Sequence, residues 1–430
     1  MADAPILRDD DRRLNLEQQK TRAKELRRAI AQAEPDALRR LIAHHPDADR
    51  VAPADLPQRL SRLSDAQLVI AREIGLPGWP QLKAHIERMQ RARKAIADRA
   101  PAPDADLTTL HIRCGSDIRD RLKEAGFAGD FLEVSDPVCQ GPLPRDGDVL
   151  PVRARFISDS YGVPYAEVHA RLTREYDELR LAPGRYQRLV LWLEHDSYDQ
   201  LSLAGILAHF ATQRRLPVVE LICIDRFPVI TRFHGLGQLS ATALRTLWAE
   251  RCPVTPALRK LGAAVWGALR EPSPLALHAI AAGGTPELPV MSHALTRHLQ
   301  ELPWIKDGLS LTQRLALQSL RTGPRTVSAM FRIIQLEGEP LPFLGDLMFW
   351  TILRDMQQVA EPPLRITPES AGAHWPQHML TLTPAGEALA AGSRDWLAAR
   401  PATRWVGGVR IAADAAAWRW DGAEGRPIQT

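Results

Sequence analysis

No apolar run in this 430-residue chain reaches the roughly 18 residues needed to span a bilayer. Met1–Asp10 also lacks the apolar core of a secretion signal. The expectation is a cytoplasmic protein with no membrane contact. Cysteine is scarce: Cys114, Cys139, Cys223 and Cys252 lie far apart without a CxxC pair. That excludes a zinc knuckle or ribbon and gives no disulfide framework. Lysine is scarce beside arginine, at 7 of 55 basic residues. A formal charge of +4 spread over this length argues only weakly for nucleic acid, which is therefore a disfavoured partner. The chain has no GxGxxG, GxxxxGK[ST] or GxSxG, so a dinucleotide fold, a P-loop and a nucleophile elbow have no support. What is present is an ordinary globular composition, 45% apolar and 25% charged, in a chain long enough for two or three domains.

The pattern of residues predicts an α/β plus α architecture. A small, doubly wound parallel sheet is flanked by an all-helical N-terminal domain and a helical, winged-helix-like C-terminal region. Residues 1–100 read as helices: Leu14–Ile30, a second opened by Pro35, a third capped by Ser64 with Gln67, and a fourth from Trp79. Ala33 to Pro46 is similar to the helical half of an ankyrin-type repeat, which makes this leader a candidate surface for a protein partner. After a Pro/Ala linker, residues 107–235 alternate strands with helices: strands at Leu107–Arg113, Asp130–Ser135, Arg188–Leu193 and Val218–Ile224, with a helix at Asp117–Ala125. Residues 236–305 are helical again. Residues 306–430 place helices at Thr312–Leu320, Thr326–Gln335 and Leu344–Gln357 before strands at Leu364–Thr367, Met379–Leu382 and Trp405–Ile411. Thr383 caps a further helix with Pro384 at its first position. The helix that would enter a DNA groove, Leu344–Gln357, is mostly apolar and carries Asp346 and Asp355 against Arg354, which speaks against DNA readout.

The most informative stretch is Leu189 to Gln200, where an apolar strand runs into Glu194, His195, Asp196 and Asp199. Strand carboxyl ends are where ligands collect in α/β folds. His195, Asp196 and Asp199 are candidate catalytic residues, as a metal or acid–base cluster. The alternative is a helix start, with Ser197 and Gln200 at capping-box spacing. Asp136, after the second strand, joins Asp196 as a candidate ligand for a divalent metal. Ser116 and Asp117, after the first strand, are candidate substrate contacts, with Ser116 also readable as a plain N-cap. Arg155 is a candidate anion clamp, with Arg153 beside it. His234, in a Gly-flanked loop, is a fourth candidate substrate contact.

Leu110-His-Ile-Arg-Cys-Gly-Ser-Asp117, Asp136-Pro-Val-Cys139 with Gly141-Pro142, and Trp192 to Gln200 resemble the bacterial DUF1835 proteins. So do Phe233 to Leu239, Ala294 to Leu299 and Gly345-Asp346, and the resemblance spans residues 107–411. That family has no assigned function, so the likeness implies an architecture and a site location. This chain departs from it in carrying Gly115-Ser116-Asp117 where the family has Gly-Asp. The inventory points to an enzyme acting on a phosphorylated or nucleotide-like small molecule by hydrolysis or group transfer. The alternative is a non-catalytic, ligand-sensing regulator.

Overall fold

The computed structural model describes residues 14–430, so Met1–Asp10 and the reading made of it lie outside the described residues. The chain is mixed α/β, about 53% helical, with one five-stranded, mostly parallel sheet and small antiparallel sheets. It resolves into two units. Met1–Thr109, Asp117–Gly129 and Ile224–Arg251 form the first; Leu110–Ser116, Asp130–Cys223 and Cys252–Thr430 form the second.

The N-terminal helices are α1 (Leu16–Ala31), α2 (Pro35–His44), a single turn α3 (Leu56–Arg59), α4 (Leu63–Glu73) and α5 (Trp79–Ala97). Asn15 starts α1 by accepting from the Glu17 and Gln18 amides, at 2.8 and 3.2 Å. The helices meet on side chains at helical spacing, among them Leu26, Ile30, Leu41, Val69, Ile70 and Leu82. The α4 cap differs from the expectation. The helix begins at Leu63, so Ser64 already lies in its first turn, and the Asp65 carboxylate takes the Arg62 amide at 2.9 Å instead.

The sheet region runs β1 (Thr109–Arg113), α6 (Arg119–Glu124), β2 (Asp130–Glu133), α7 (Val149–Tyr161), α8 (Tyr165–Arg185), β3 (Arg188–Glu194), α9 (Ser197–Ala211), β4 (Val218–Ile224), α10 (Ala241–Leu247) and β5 (Cys252–Pro253). Strand order is β2-β1-β3-β4-β5, with β1 and β2 parallel and β4 and β5 antiparallel. Every residue of β3 is buried, as expected of a strand covered on both faces. Gly162 ends α7 at φ 73°, and Pro164 starts α8. Helix α6 begins at Arg119 with Ile118 as its N-cap, so Ser116 caps nothing: it and Asp117 stay in the preceding turn.

Four helices follow: α11 (Pro256–Leu269), α12 (Leu275–Gly283), α13 (Pro289–Leu299) and α14 (Leu311–Leu320). Then come β6 (Arg325–Thr326), α15 (Val327–Ile333), α16 (Asp346–Met356), β7 (Leu364–Ile366) and β8 (Met379–Leu382), with β6-β8-β7 forming an antiparallel sheet. Leu317, Met330, Phe349, Leu353, Leu364 and Leu380 form the core of this module. Thr383 caps α17 (Pro384–Ala391) as expected, accepting from the Gly386 amide at 3.2 Å. The single strand expected over Trp405–Ile411 is a hairpin of β9 (Arg404–Val406) and β10 (Val409–Ile411), because Gly407 turns the chain at φ 58°. A second hairpin, β11 (Trp418–Asp421) with β12 (Arg426–Gln429), ends the chain and was not expected. Among the described residues no helix is long and apolar enough to cross a membrane.

Candidate functional site at the strand ends

In a doubly wound sheet, ligands bind outside the carboxyl ends of the strands, where the strand order reverses. Here β1 is followed by β2 on one side and β3 on the other, so that reversal falls between β1 and β3. Arg113 ends β1 and Glu194 ends β3. The Arg113 guanidinium binds Glu194 with one nitrogen and Asp199 with the other, the latter at 2.6 Å. Arg113 also donates to the Trp192 carbonyl at 3.3 Å. Asp199 further accepts from the Glu194 amide at 2.6 Å and from the Cys114 thiol. All of these groups are buried, and one guanidinium is shared by two carboxylates.

Asp196 is the N-cap of α9, its carboxylate taking the Asp199 amide at 2.9 Å. The capping box expected at Ser197 and Gln200 does not form. Ser197 instead donates to the Ala294 carbonyl at 2.9 Å, and Gln200 donates to the Glu194 carbonyl. Burial and the neighbouring Asp199 push the Asp196 carboxyl well above the usual carboxylate range. His195 sits half-buried in the turn between β3 and α9.

The loop after β2 carries a second closed network. Asp136 receives Arg153 through Nε (2.9 Å) and Nη2 (2.7 Å), and the Tyr176 hydroxyl at 2.6 Å. The remaining Arg153 donors reach the carbonyls of Gln140 (2.7 Å), Pro142 (3.1 Å) and Pro137 (2.9 Å). All five N–H groups of this fully buried guanidinium are thus used to hold the loop's shape. Arg153 is a carboxylate clamp, but the carboxylate it holds belongs to its own chain. Cys139 lies in the same loop, and burial, followed by the charge of Asp196, raises its thiol well above the ordinary range. Burial and then Asp199 do the same for Cys114. Neither thiol is an activated nucleophile.

Glu194, Asp196 and Asp199 offer oxygens that lie within 4.8 Å of one another. That separation suits a divalent cation, yet Arg113 already spans two of the three. The other candidate ligand, Asp136, is held by Arg153 and Tyr176.

Cys139, Gln140, Gly141 and Pro142 form one wall of a cavity of about 690 Å³ within the second unit. Opposite walls come from α7 through Arg155 and Phe156, from α16 through Thr351 and Ile352, and from the segment Pro401–Trp405. Gly141 makes this wall possible: its φ is +75°, and a Cβ there would overlap the Phe156 ring. Arg155 borders the cavity with its guanidinium 4.5 Å from the centre of the Tyr165 ring.

The remaining candidates lie in the first unit. Asp117 faces Gly237, where a Cβ would come to 2.8 Å from its carboxylate. The His234 amide donates to Gln238 at 2.6 Å in the same loop. Arg113, Cys114 and Tyr176 were not singled out from the sequence. The available signal was an arginine within the apolar strand Leu110 to Cys114, a position that demands a buried acid. No family model matches this chain, and no curated protein matches it.

Proposed function

We propose that this protein binds a phosphorylated or nucleotide-like small molecule in the cavity at the carboxyl end of its sheet, and that it works as a ligand-sensing regulator. The observation that carries this reading is the cavity itself: about 690 Å³, walled by the loop after β2 and by aromatic side chains, within the usual size of a small-molecule site. Of the motifs that resemble DUF1835, Cys139 and Gly141-Pro142 line this cavity, while the stretch Trp192 to Gln200 does not. Sensing ranks ahead of catalysis because Glu194, Asp199 and Asp136 are already engaged by Arg113 and Arg153, and because both buried thiols are raised.

The helix and strand order α14-β6-α15-α16-β7-β8 supports a winged-helix-like reading of the C-terminal module. Its third helix is not free for a DNA groove. Thr351 and Arg354 of α16 both donate to the Ser160 carbonyl of α7, at 3.3 and 3.1 Å, and α16 walls the cavity. In this reading the module closes over the ligand and passes its occupancy to a protein partner, with the helical leader as a second docking candidate.

One observation favours the enzymatic reading: the spacing of Glu194, Asp196 and Asp199. Hydrolysis or group transfer through a divalent metal would need Arg113 to give way. A thermal-shift screen of nucleotides, sugar phosphates and divalent cations tests both. Ligand binding to the native state raises Tm. A Tm increase with an organic ligand that Tyr165→Ala abolishes supports the cavity. A metal-dependent increase lost in Asp196→Ala would replace the sensing reading with the catalytic one.

A further inference from the structure

We propose that Arg404, on the wall of this cavity, is the anchor for a phosphate ester whose ring stacks on the aromatic lining; the inference rests on the cavity reading above. Among the buried arginines of the second unit, Arg113, Arg153, Arg188 and Arg297 each meet a carboxylate, the longest separation being 3.3 Å. Arg404, half-buried, differs: the Glu301 carboxylate acts on it through space without a direct ion pair. It starts β9, it lines the cavity, and it forms no ion pair among the described residues. Its Nη2 is shut off from solvent without a hydrogen-bond partner. A guanidinium cannot shed its proton to escape that position. A guanidinium N–H held out of water without a hydrogen bond is costly, and an anion entering the cavity removes that cost.

The lining defines the class of anion. Arg155 is the second arginine on the cavity; it is exposed and lies over the Tyr165 ring, and it makes no ion pair among the described residues. Two arginines without a direct carboxylate ion pair suit a dianionic phosphate better than a single carboxylate. Of the acids on the walls, Glu301 is answered by Arg297 at 2.7 Å and Asp355 by Arg354 at 3.2 Å, while Asp159 is exposed to solvent. Glu301 uses Oε1 for both Arg297 and Thr312. Its Oε2 is left to accept from a ligand hydroxyl. Phe156, Tyr165, Phe343 and Trp405 provide flat apolar surface for a ring. A phosphate, hydroxyls and a planar ring together describe a nucleoside monophosphate.

The test uses the full chain with AMP, adenosine, ribose 5-phosphate and inorganic phosphate as probes, read by Tm and calorimetric Kd. Wild-type protein is expected to be stabilised by AMP and far less by adenosine. Arg404→Met is expected to melt at or above the wild-type temperature without ligand, because a guanidinium with an unsatisfied buried nitrogen has been removed, and to bind AMP at least about ten-fold more weakly, or about 1.4 kcal/mol. Arg404→Lys, which keeps the charge but loses the fork, is expected to fall between them. Unliganded Arg404→Met melting several degrees below wild type would assign Arg404 a purely structural role and overturn the proposal. Equal stabilisation by AMP and adenosine in both proteins would leave the cavity reading standing and remove the phosphate anchor. No response to any phosphate-bearing probe would overturn the ligand class. The cavity reading is judged separately, by whether any stabilising compound from the wider screen loses its effect in Tyr165→Ala.

Discussion

Arg113 carries the largest energetic weight of any residue at the strand ends. Its guanidinium is the partner of both Glu194 and Asp199 in a solvent-excluded site. Removing one member of a buried pair costs about 3–5 kcal/mol, because the remaining charge is stranded. Arg113→Met is therefore expected to lower stability to denaturant by about that amount, and the triple variant that also carries Glu194→Gln and Asp199→Asn to recover part of it. An unchanged midpoint for Arg113→Met would show that the three groups are not coupled. The single variant also exposes the metal question. With the arginine gone, Glu194, Asp196 and Asp199 keep three carboxylates close together without their cation, so Mn²⁺ is expected to restore Tm in Arg113→Met and to leave wild type unchanged.

At the scale of elements, the loop after β2 and the start of α17 show two kinds of local constraint. Gly141 combines a positive φ with a close approach to the Phe156 ring. Gly141→Ala is expected to cost about 1–3 kcal/mol, as for other residues forced into the left-handed region, and to deform the cavity wall, so the ligand-induced Tm increase should shrink with it. Thr383 both caps α17 and donates to the Pro362 carbonyl at 2.7 Å. Thr383→Ala is expected to cost about 1 kcal/mol, with no effect on ligand binding, since Thr383 lies off the cavity. Helix α16 illustrates how packing sets an element's use. Its apolar sequence marks it as a helix built for burial, and its contacts with α7 and the cavity account for that face.

Each unit of the molecule carries one buried imidazole that burial depresses to about 4, His85 in the first and His298 in the second. A nearby arginine adds to the effect in both, Arg88 and Arg297 respectively, although Glu301 opposes it at His298. An unfolded histidine takes up its proton near 6.5, and these take theirs only near 4 when folded. The stability they contribute is complete above about pH 6.5 and is lost as the pH falls from there toward 4. For His298, which is fully buried with neither ring nitrogen hydrogen-bonded, the loss amounts to roughly 3 kcal/mol over that window. His298→Leu should flatten the decline in unfolding midpoint between pH 7 and pH 5. An identical decline in both proteins would exclude this histidine as its source.

The sequence by itself determined where the elements lie. β4 and β8 fall at their expected bounds, and β3 extends one residue beyond its own, because apolar periodicity, proline and capping residues act over a few positions. It also located the strand end at Glu194 to Asp199 as the place where polar groups collect. Only the tertiary structure decided what those groups do. Whether Asp136 and Asp199 await a metal or are already neutralised depends on Arg153, 17 residues from Asp136, and on Arg113, 86 residues from Asp199. The same holds for Arg404, an ordinary residue in sequence that becomes notable because packing leaves its Nη2 enclosed without a hydrogen-bond partner. Local pattern encodes conformation because backbone preferences are local. Charge compensation is settled by whichever side chains the fold brings within about 4 Å, and pattern does not encode that distance.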